Sequence, residues 1–197
     1  HQMFKESLRT SQIKTQFNLD QVRITEKTNY AVWLASLVLQ AVTDNKLRHD
    51  TLQKFMIAND SVTVAAEIPV YFDKEDLEHM QKKLKFEIPL EFEKEITGHI
   101  DLLQIRNGAV HILDYKPHAR RQKPIAQLTI YALALSRLTG LRLFNMKCAW
   151  FDHEVYYEFF SLHVVYKKKS RKKGKAAAVH KDQKTFAELF RKVADYV

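Results

Sequence analysis

Gly98-His99-Ile100-Asp101 and Ile112-Leu113-Asp114-Tyr115-Lys116-Pro117 are the two runs that decide how this chain folds. The stretch between them reads as one β-hairpin. Phe92 to Ile105 is rich in apolar and β-branched residues, Asn107-Gly108 is a strong turn signal, and Ala109 to Lys116 resumes the strand. Side chains alternate along a strand, so Asp114 and Lys116 share a face. Asp101, on the neighbouring strand, is within reach of that face. Gly98, three residues earlier, suits a bulge or a close backbone approach. Two carboxylates and one ammonium at a strand end can hold a hard divalent cation and manage an attacking water.

Outward from the hairpin, periodicity predicts the remaining elements. Val22 to Val42 reads as a helix, capped by Thr28 or Asn29, apolar nearly all round and therefore buried. A short helix is expected at about Asp50 to Ala58. Val62 to Phe72 alternates as a strand, with Val62, Val64, Ala66 and Ile68 on one face and Glu67 on the other. Asp73 then caps an amphipathic helix carrying Leu77, Met80 and Leu84. After the hairpin, Pro124 opens a helix from Ile125 to Leu138 and Gly140 stops it. Asn145 to Phe151 and Val155 to Tyr166 read as strands. Residues 1–166 form the expected core, 167–182 a basic linker, and 183–197 a C-terminal amphipathic helix marked by Phe186, Leu189, Phe190, Val193 and Val197. This alternation predicts an α/β fold, a mixed central sheet flanked by helices, with the C-terminal helix appended.

Composition narrows the function classes. At 197 residues, with 46% apolar and 11% aromatic residues, the chain is long and apolar enough for a real core rather than a disordered segment. Its single cysteine, Cys148, excludes a disulfide framework within the chain and, unless a partner supplies ligands, a cysteine-built zinc or iron–sulfur centre. No secretory signal is visible, and Tyr30 to Val42, the longest apolar stretch, is too short to span a bilayer. An intracellular location with no membrane partner is expected. The net charge of +9 suggests a polyanionic partner. Lys167, Lys168, Lys169, Arg171, Lys172, Lys173 and Lys175 supply seven of those nine charges, so the core is only slightly basic. That run reads as phosphate contact, as a nuclear address, or as a solvated linker.

Gln127 and Tyr131 fall at i and i+4 on the helix after the hairpin, on one face. G-x-x-D at Gly98–Asp101, D-x-K at Asp114–Lys116 and Q-x-x-x-Y at Gln127–Tyr131, in that order, resemble the RecB-like branch of the PD-(D/E)XK nuclease superfamily. The resemblance covers roughly Val62 to Phe160 and implies a restriction-endonuclease-like fold and a metal-dependent deoxyribonuclease, exo- or endonucleolytic, acting in DNA repair. It implies Asp101 and Asp114 as ligands of Mg²⁺ or Mn²⁺, the backbone carbonyl of Tyr115 as a further oxygen, and Lys116 as the group that orients or activates water. It implies Gln127 and Tyr131 as contacts to nucleic acid or braces of the site.

The family also places a ligand in its N-terminal region. His49 is the first choice here, Glu26 on the expected first helix is a rival, and Glu67 on the first strand is a third. His118, Arg120, Arg121 and Lys123 follow the D-x-K strand as a phosphate clamp or an ordinary basic turn. Trp33, Trp150 and the pairs Tyr156-Tyr157 and Phe159-Phe160 could stack on bases, but their apolar settings favour core packing. No Walker A motif is present, so any helicase would be a separate partner or a further part of this protein. One cysteine cannot build the iron–sulfur cluster of several family branches. The alternative, an inactive module that binds nucleic acid or a protein, is opposed by the intact Asp101, Asp114 and Lys116 set.

Overall fold

The computed structural model describes residues 7–10, 13, 15–42 and 44–166. The basic run and the expected C-terminal helix lie outside the described residues. Seven strands among those described form one mixed sheet: β1 (Leu8–Arg9), β2 (Thr25–Lys27), β3 (Thr63–Phe72), β4 (Ile96–Arg106), β5 (Ala109–Tyr115), β6 (Met146–Phe151) and β7 (Tyr156–Phe160). The path runs β1-β4-β5-β6-β7-β2, and β3 pairs with β4 on its other edge. The β1–β4 and β5–β6 pairs are parallel and the rest antiparallel.

Helices α1 (Tyr30–Ala41), α2 (Asn45–Asn59), α3 (Lys74–Leu84), α4 (Ile125–Thr139) and α5 (Ser161–Val165) cover the two faces. One core layer joins Phe72, Ile100, Ile112 and Trp150 to Met80 of α3, Leu128 and Leu133 of α4, and Val165 of α5. The other joins Leu102, Leu113 and Phe151 to Leu34 and Val38 of α1 and Leu52 and Met56 of α2. Among the described residues no helix is long and apolar enough to cross a membrane.

Several boundaries depart from expectation. The first helix starts at Tyr30, not Val22, because Thr25–Lys27 instead pair with the free edge of β7. Asn29, with extended backbone, caps the helix by accepting from the Ala31 N–H at 2.8 Å. The helix is not buried all round. Ala31, Leu34, Ala35 and Val38 form its inner face, while Tyr30 and Trp33 stay about half exposed at 53% and 51%. The second helix is longer than expected, Asn45–Asn59. Asp73 caps α3 through a full capping box with Asp76. The last predicted strand ends at Phe160; Ser161–Val165 turns into α5, which buries Val164 and Val165 in the core.

The strand containing Glu67 also breaks its expected alternation. Its register slips between Thr63 and Ala65, leaving Val64 exposed. Ala66 packs on the α1/α2 side but Ile68 on the α4 side. Beside them Leu102 and Ile100 of β4 change sides in the same way. Glu67, between the two switches, has φ of 51°, a left-handed conformation rare for a side-chain-bearing residue.

Candidate active site

The hairpin is closed at one end and open at the other. Asn107 and Gly108, both with positive φ, form a two-residue turn that sets Arg106 opposite Ala109. Regular pairing of β4 with β5 stops at Leu102↔Leu113. Beyond it β5 stays beside β6 through Tyr115↔Phe151, while β4 takes β1 as its neighbour at Ile96 and Thr97. The strands therefore fork, and the first rung past the last pair is Asp101 facing Asp114. Continued across β3, that rung meets Glu67, which lies between Ala66↔Leu102 and Ile68↔Ile100.

Helix α2 closes the fork from one side. His49 Nε2 lies 2.8 Å from Asp101 Oδ2, and His49 Nδ1 lies 3.8 Å from Glu67 Oε1. One turn on, the buried Gln53 donates to Glu67. The Tyr115 backbone N–H donates to Asp101 Oδ2 at 3.0 Å, tying the two prongs together. Ligand atoms of His49, Glu67 and Asp101 all lie within 4.8 Å of one another, a spacing one metal ion can bridge. Asp114 sits beside them. Its Oδ1 accepts from Lys116 Nζ at 3.0 Å, and its buried Oδ2, 2.9 Å from the same nitrogen, completes no hydrogen bond.

The charges strain against each other. Burial and then the negative Asp101 push the Asp114 carboxyl well above the ordinary carboxylate range, only partly offset by Lys116. Burial pushes Asp101 the same way, but the His49 hydrogen bond and charge, with the Tyr115 N–H, outweigh it and hold Asp101 low. The Asp101 hydrogen bond raises His49 against the opposing effect of burial. Burial works to lower Lys116, yet Asp114 and Asp101 raise it, so it remains an ammonium.

A model of the PD-(D/E)XK nuclease superfamily matches residues 1–196. The chain belongs to this superfamily. No curated protein matches the chain. PD-(D/E)XK nucleases generally use divalent metal ions, and the residues present fit one. With His49 neutral, three carboxylates face a single ammonium, and a divalent cation balances the remainder. An imidazole and carboxylates are donors a divalent cation accepts, and the buried Asp114 Oδ2 completes no hydrogen bond.

Other expected site residues are placed differently. Glu26 is on β2, not on a helix, and is four strands from Asp101 along the same rung, about 19 Å at ordinary strand spacing. It is exposed and lies 3.8 Å from Arg120. Tyr131 is 4% exposed, and its hydroxyl accepts from Thr10 Oγ1 at 3.0 Å and from Gln127 Nε2 at 2.9 Å. Its ring lies over Gly98, where an added Cβ would sit 2.4 Å from Cε1. Tyr131 therefore packs on the β4 prong at Gly98, and Gln127 and Tyr131 line a cleft of about 430 Å³ with Arg9, Thr97 and His99. His118, Arg120 and Arg121 are exposed on the loop after Lys116, with Arg120 also 3.7 Å from Glu154. Gln53 escaped the sequence reading, although its spacing of four from His49 on a helix was the available signal.

Proposed function

We propose that this chain is a metal-dependent deoxyribonuclease of the RecB-like branch. The observation that carries the reading is the fork itself. It sets the Asp101 and Asp114 carboxylates against each other, with Lys116 beside one and His49 beside the other. In this reading Asp101, Asp114, His49 and the Tyr115 carbonyl hold Mg²⁺ or Mn²⁺, with Glu67 a direct or outer ligand steadied by Gln53. Bound there, the ion would polarise the scissile phosphate and acidify a water.

The chain's own residues do the rest. Lys116 stays protonated beside Asp114, so it positions the attacking water and offsets charge on the phosphate rather than accepting a proton. Neutral His49 donates a nitrogen to the site, so its proton must leave as the ion enters. Tyr131 fixes Gly98 and thereby the prong that carries Asp101. His118, Arg120, Arg121 and Lys123 flank the scissile position on the following loop and supply phosphate contacts. A helicase or other repair partner is proposed from the RecB-like motifs alone.

The test is an assay on end-labelled single- and double-stranded DNA and on RNA, with Mn²⁺, with Mg²⁺ and in EDTA. DNA should be cut with either ion and left intact in EDTA. Undiminished cutting in EDTA sinks the metal reading, and cutting confined to RNA sinks the substrate reading.

A further inference from the structure

Two aromatic rings that core packing should have claimed remain in solvent. Tyr30 and Trp33 lie one turn apart on the outer face of α1, both about half exposed. Their rings stack, with centroids 5.1 Å apart and planes 27° from parallel. Single exposed aromatics are ordinary. Here, however, Trp33 also lines a cavity of about 490 Å³ with Lys27, Thr28, Val32, Ser36 and His153. Trp150, the second tryptophan, is 2% exposed and belongs to the core.

The cavity shares an edge of the sheet with the fork. β5 and β6 are parallel, so Lys116 follows the same end at which Phe151 finishes, and the Lys116 N–H donates to the Phe151 carbonyl at 2.9 Å. β7 runs back from that end and β2 returns to it, with Lys27 opposite Tyr156. Lys116, the loop at 152–155 and the start of α1 therefore follow one another along a single edge. Arg120 spans the interval, 3.7 Å from Glu154 and 3.8 Å from Glu26, both of which line the cavity. From β5 to β2 is three strand spacings, about 14 Å, or roughly four stacked nucleotides.

We propose that Tyr30 and Trp33 form a base-stacking platform for single-stranded nucleic acid, about four nucleotides from the scissile phosphate. The inference rests on the nuclease reading for what runs along this edge. The basic loop at 118–123 carries phosphates between the two points. The platform takes the bases, which every nucleotide offers as π-faces and which a duplex keeps stacked on one another. The acidic pair Glu26 and Glu154 disfavours a phosphate in the cavity and leaves room for a base amino group. The substrate class that follows is a single strand, or a duplex end frayed over a few nucleotides.

The experiment uses the full chain in EDTA with a fluorescein-labelled 12-nucleotide oligodeoxyadenylate and a duplex of equal length. The single strand should quench the fluorescence of exposed Trp33 and the duplex should not. Trp33→Ala should weaken single-strand binding roughly tenfold or more, and Trp33→Phe should keep most of it. Duplex affinity should change by less than about twofold, since paired bases offer no free face to the platform. Unchanged single-strand affinity in Trp33→Ala overturns the proposal, and so does equal loss for both substrates. Should Trp33→Ala fail to fold, absence of quenching in the wild type overturns it instead. Mn²⁺-dependent cutting by the wild type, measured in parallel, separates the two readings. Cutting with Trp33-independent binding removes the platform alone. Trp33-dependent binding without cutting removes the nuclease reading and keeps the platform.

Discussion

A histidine sits near each end of the β4–β5 hairpin, His111 on β5 and His49 on the neighbouring α2, and the two are driven in opposite directions. Near the closed end, His111 of β5 is 2% exposed and its Nδ1 accepts from Arg106 at 3.1 Å. Burial, then the positive charges of Arg106 and Lys147, push its pKa down to about 4. Arg106 also donates to Tyr156 at 2.8 Å, and Glu158 collects Lys27 and Lys147. At the forked end, His49 is raised by Asp101, and the carboxylates outnumber the cations. At the closed end three cations, Arg106, Lys147 and Lys27, gather around the one carboxylate of Glu158, and the histidine is kept neutral. The open end holds three carboxylates, one of them with a buried oxygen that completes no hydrogen bond, and a histidine whose proton Asp101 helps to retain. The same strands thus gather an excess of positive charge at one end and an excess of carboxylates at the other.

The widest separation between the two ends should come from Asp114→Asn. If Asp114 holds the ion, Mn²⁺-dependent cutting should fall by at least about a thousandfold, since several kcal/mol of charge stabilisation disappear. Stability should move the other way. The folded-state pKa of Asp114 lies above its unfolded value, so its ionisation opposes folding as pH rises from that value through the raised one. At pH 8 without metal the variant should melt no lower than the wild type. Mn²⁺ should raise the wild-type melting temperature and leave the variant unmoved. Equal stabilisation of both by Mn²⁺ would remove Asp114 from the ion's site.

The histidines give the next largest effect. His111 has a depressed pKa, so the unfolded chain binds the extra proton between pH 6.5 and about 4 and stability falls as pH drops through that window. For so buried a residue the loss is about 3 kcal/mol. His111→Gln should remove most of that acid slope. His49 behaves oppositely. Its pairing with Asp101 stabilises the metal-free fold fully below the unfolded pKa and fades as pH climbs through the raised one. His49→Gln should flatten the alkaline side of the profile and weaken Mn²⁺ binding. Melting curves from pH 4 to 9 would show both. An acid slope that survives in His111→Gln would mean that other groups set it.

Much of this asymmetry was legible in the sequence. A two-residue Asn107-Gly108 turn fixes Arg106 opposite Ala109, and counting back places Asp101 opposite Asp114. The chemistry of the open end thus follows from local turn geometry. The rest depended on tertiary neighbours. Thr25–Lys27 became a strand because β7 offered an unpaired edge, and this moved Glu26 off the expected helix and away from the fork. The β-branched Val164 and Val165 read as strand but found their burial as a helix turn against α4. No glycine marks the left-handed backbone at Glu67, so the simultaneous change of sides in β3 and β4 left no trace in local propensity. Trp33 has an apolar sequence context, and only the orientation of α1 shows that this ring faces outward.

Glycine supplies the finest comparison, because each end of the hairpin has one and each is needed for a different reason. At Gly98 the constraint is space. A methyl group would lie 2.4 Å from Tyr131 Cε1 and 2.8 Å from its hydroxyl. The ring cannot easily retreat, being buried and held by Thr10 and Gln127. At Gly108 nothing lies within 4 Å of an added Cβ, and the constraint is φ of +69°. Gly98→Ala should therefore cost about 1–3 kcal/mol as an overpacked contact. It should also reduce cutting, because the displaced prong carries Asp101. Its cost should shrink in a Tyr131→Leu background, where the clash is relieved. Gly108→Ala should cost about 1 kcal/mol from backbone strain alone, with cutting unchanged and no coupling to Tyr131. A double-mutant cycle read by urea melts and by single-turnover cutting makes the comparison. If Gly98→Ala loses stability but cuts at the wild-type rate, Tyr131 packs the core without setting the fork.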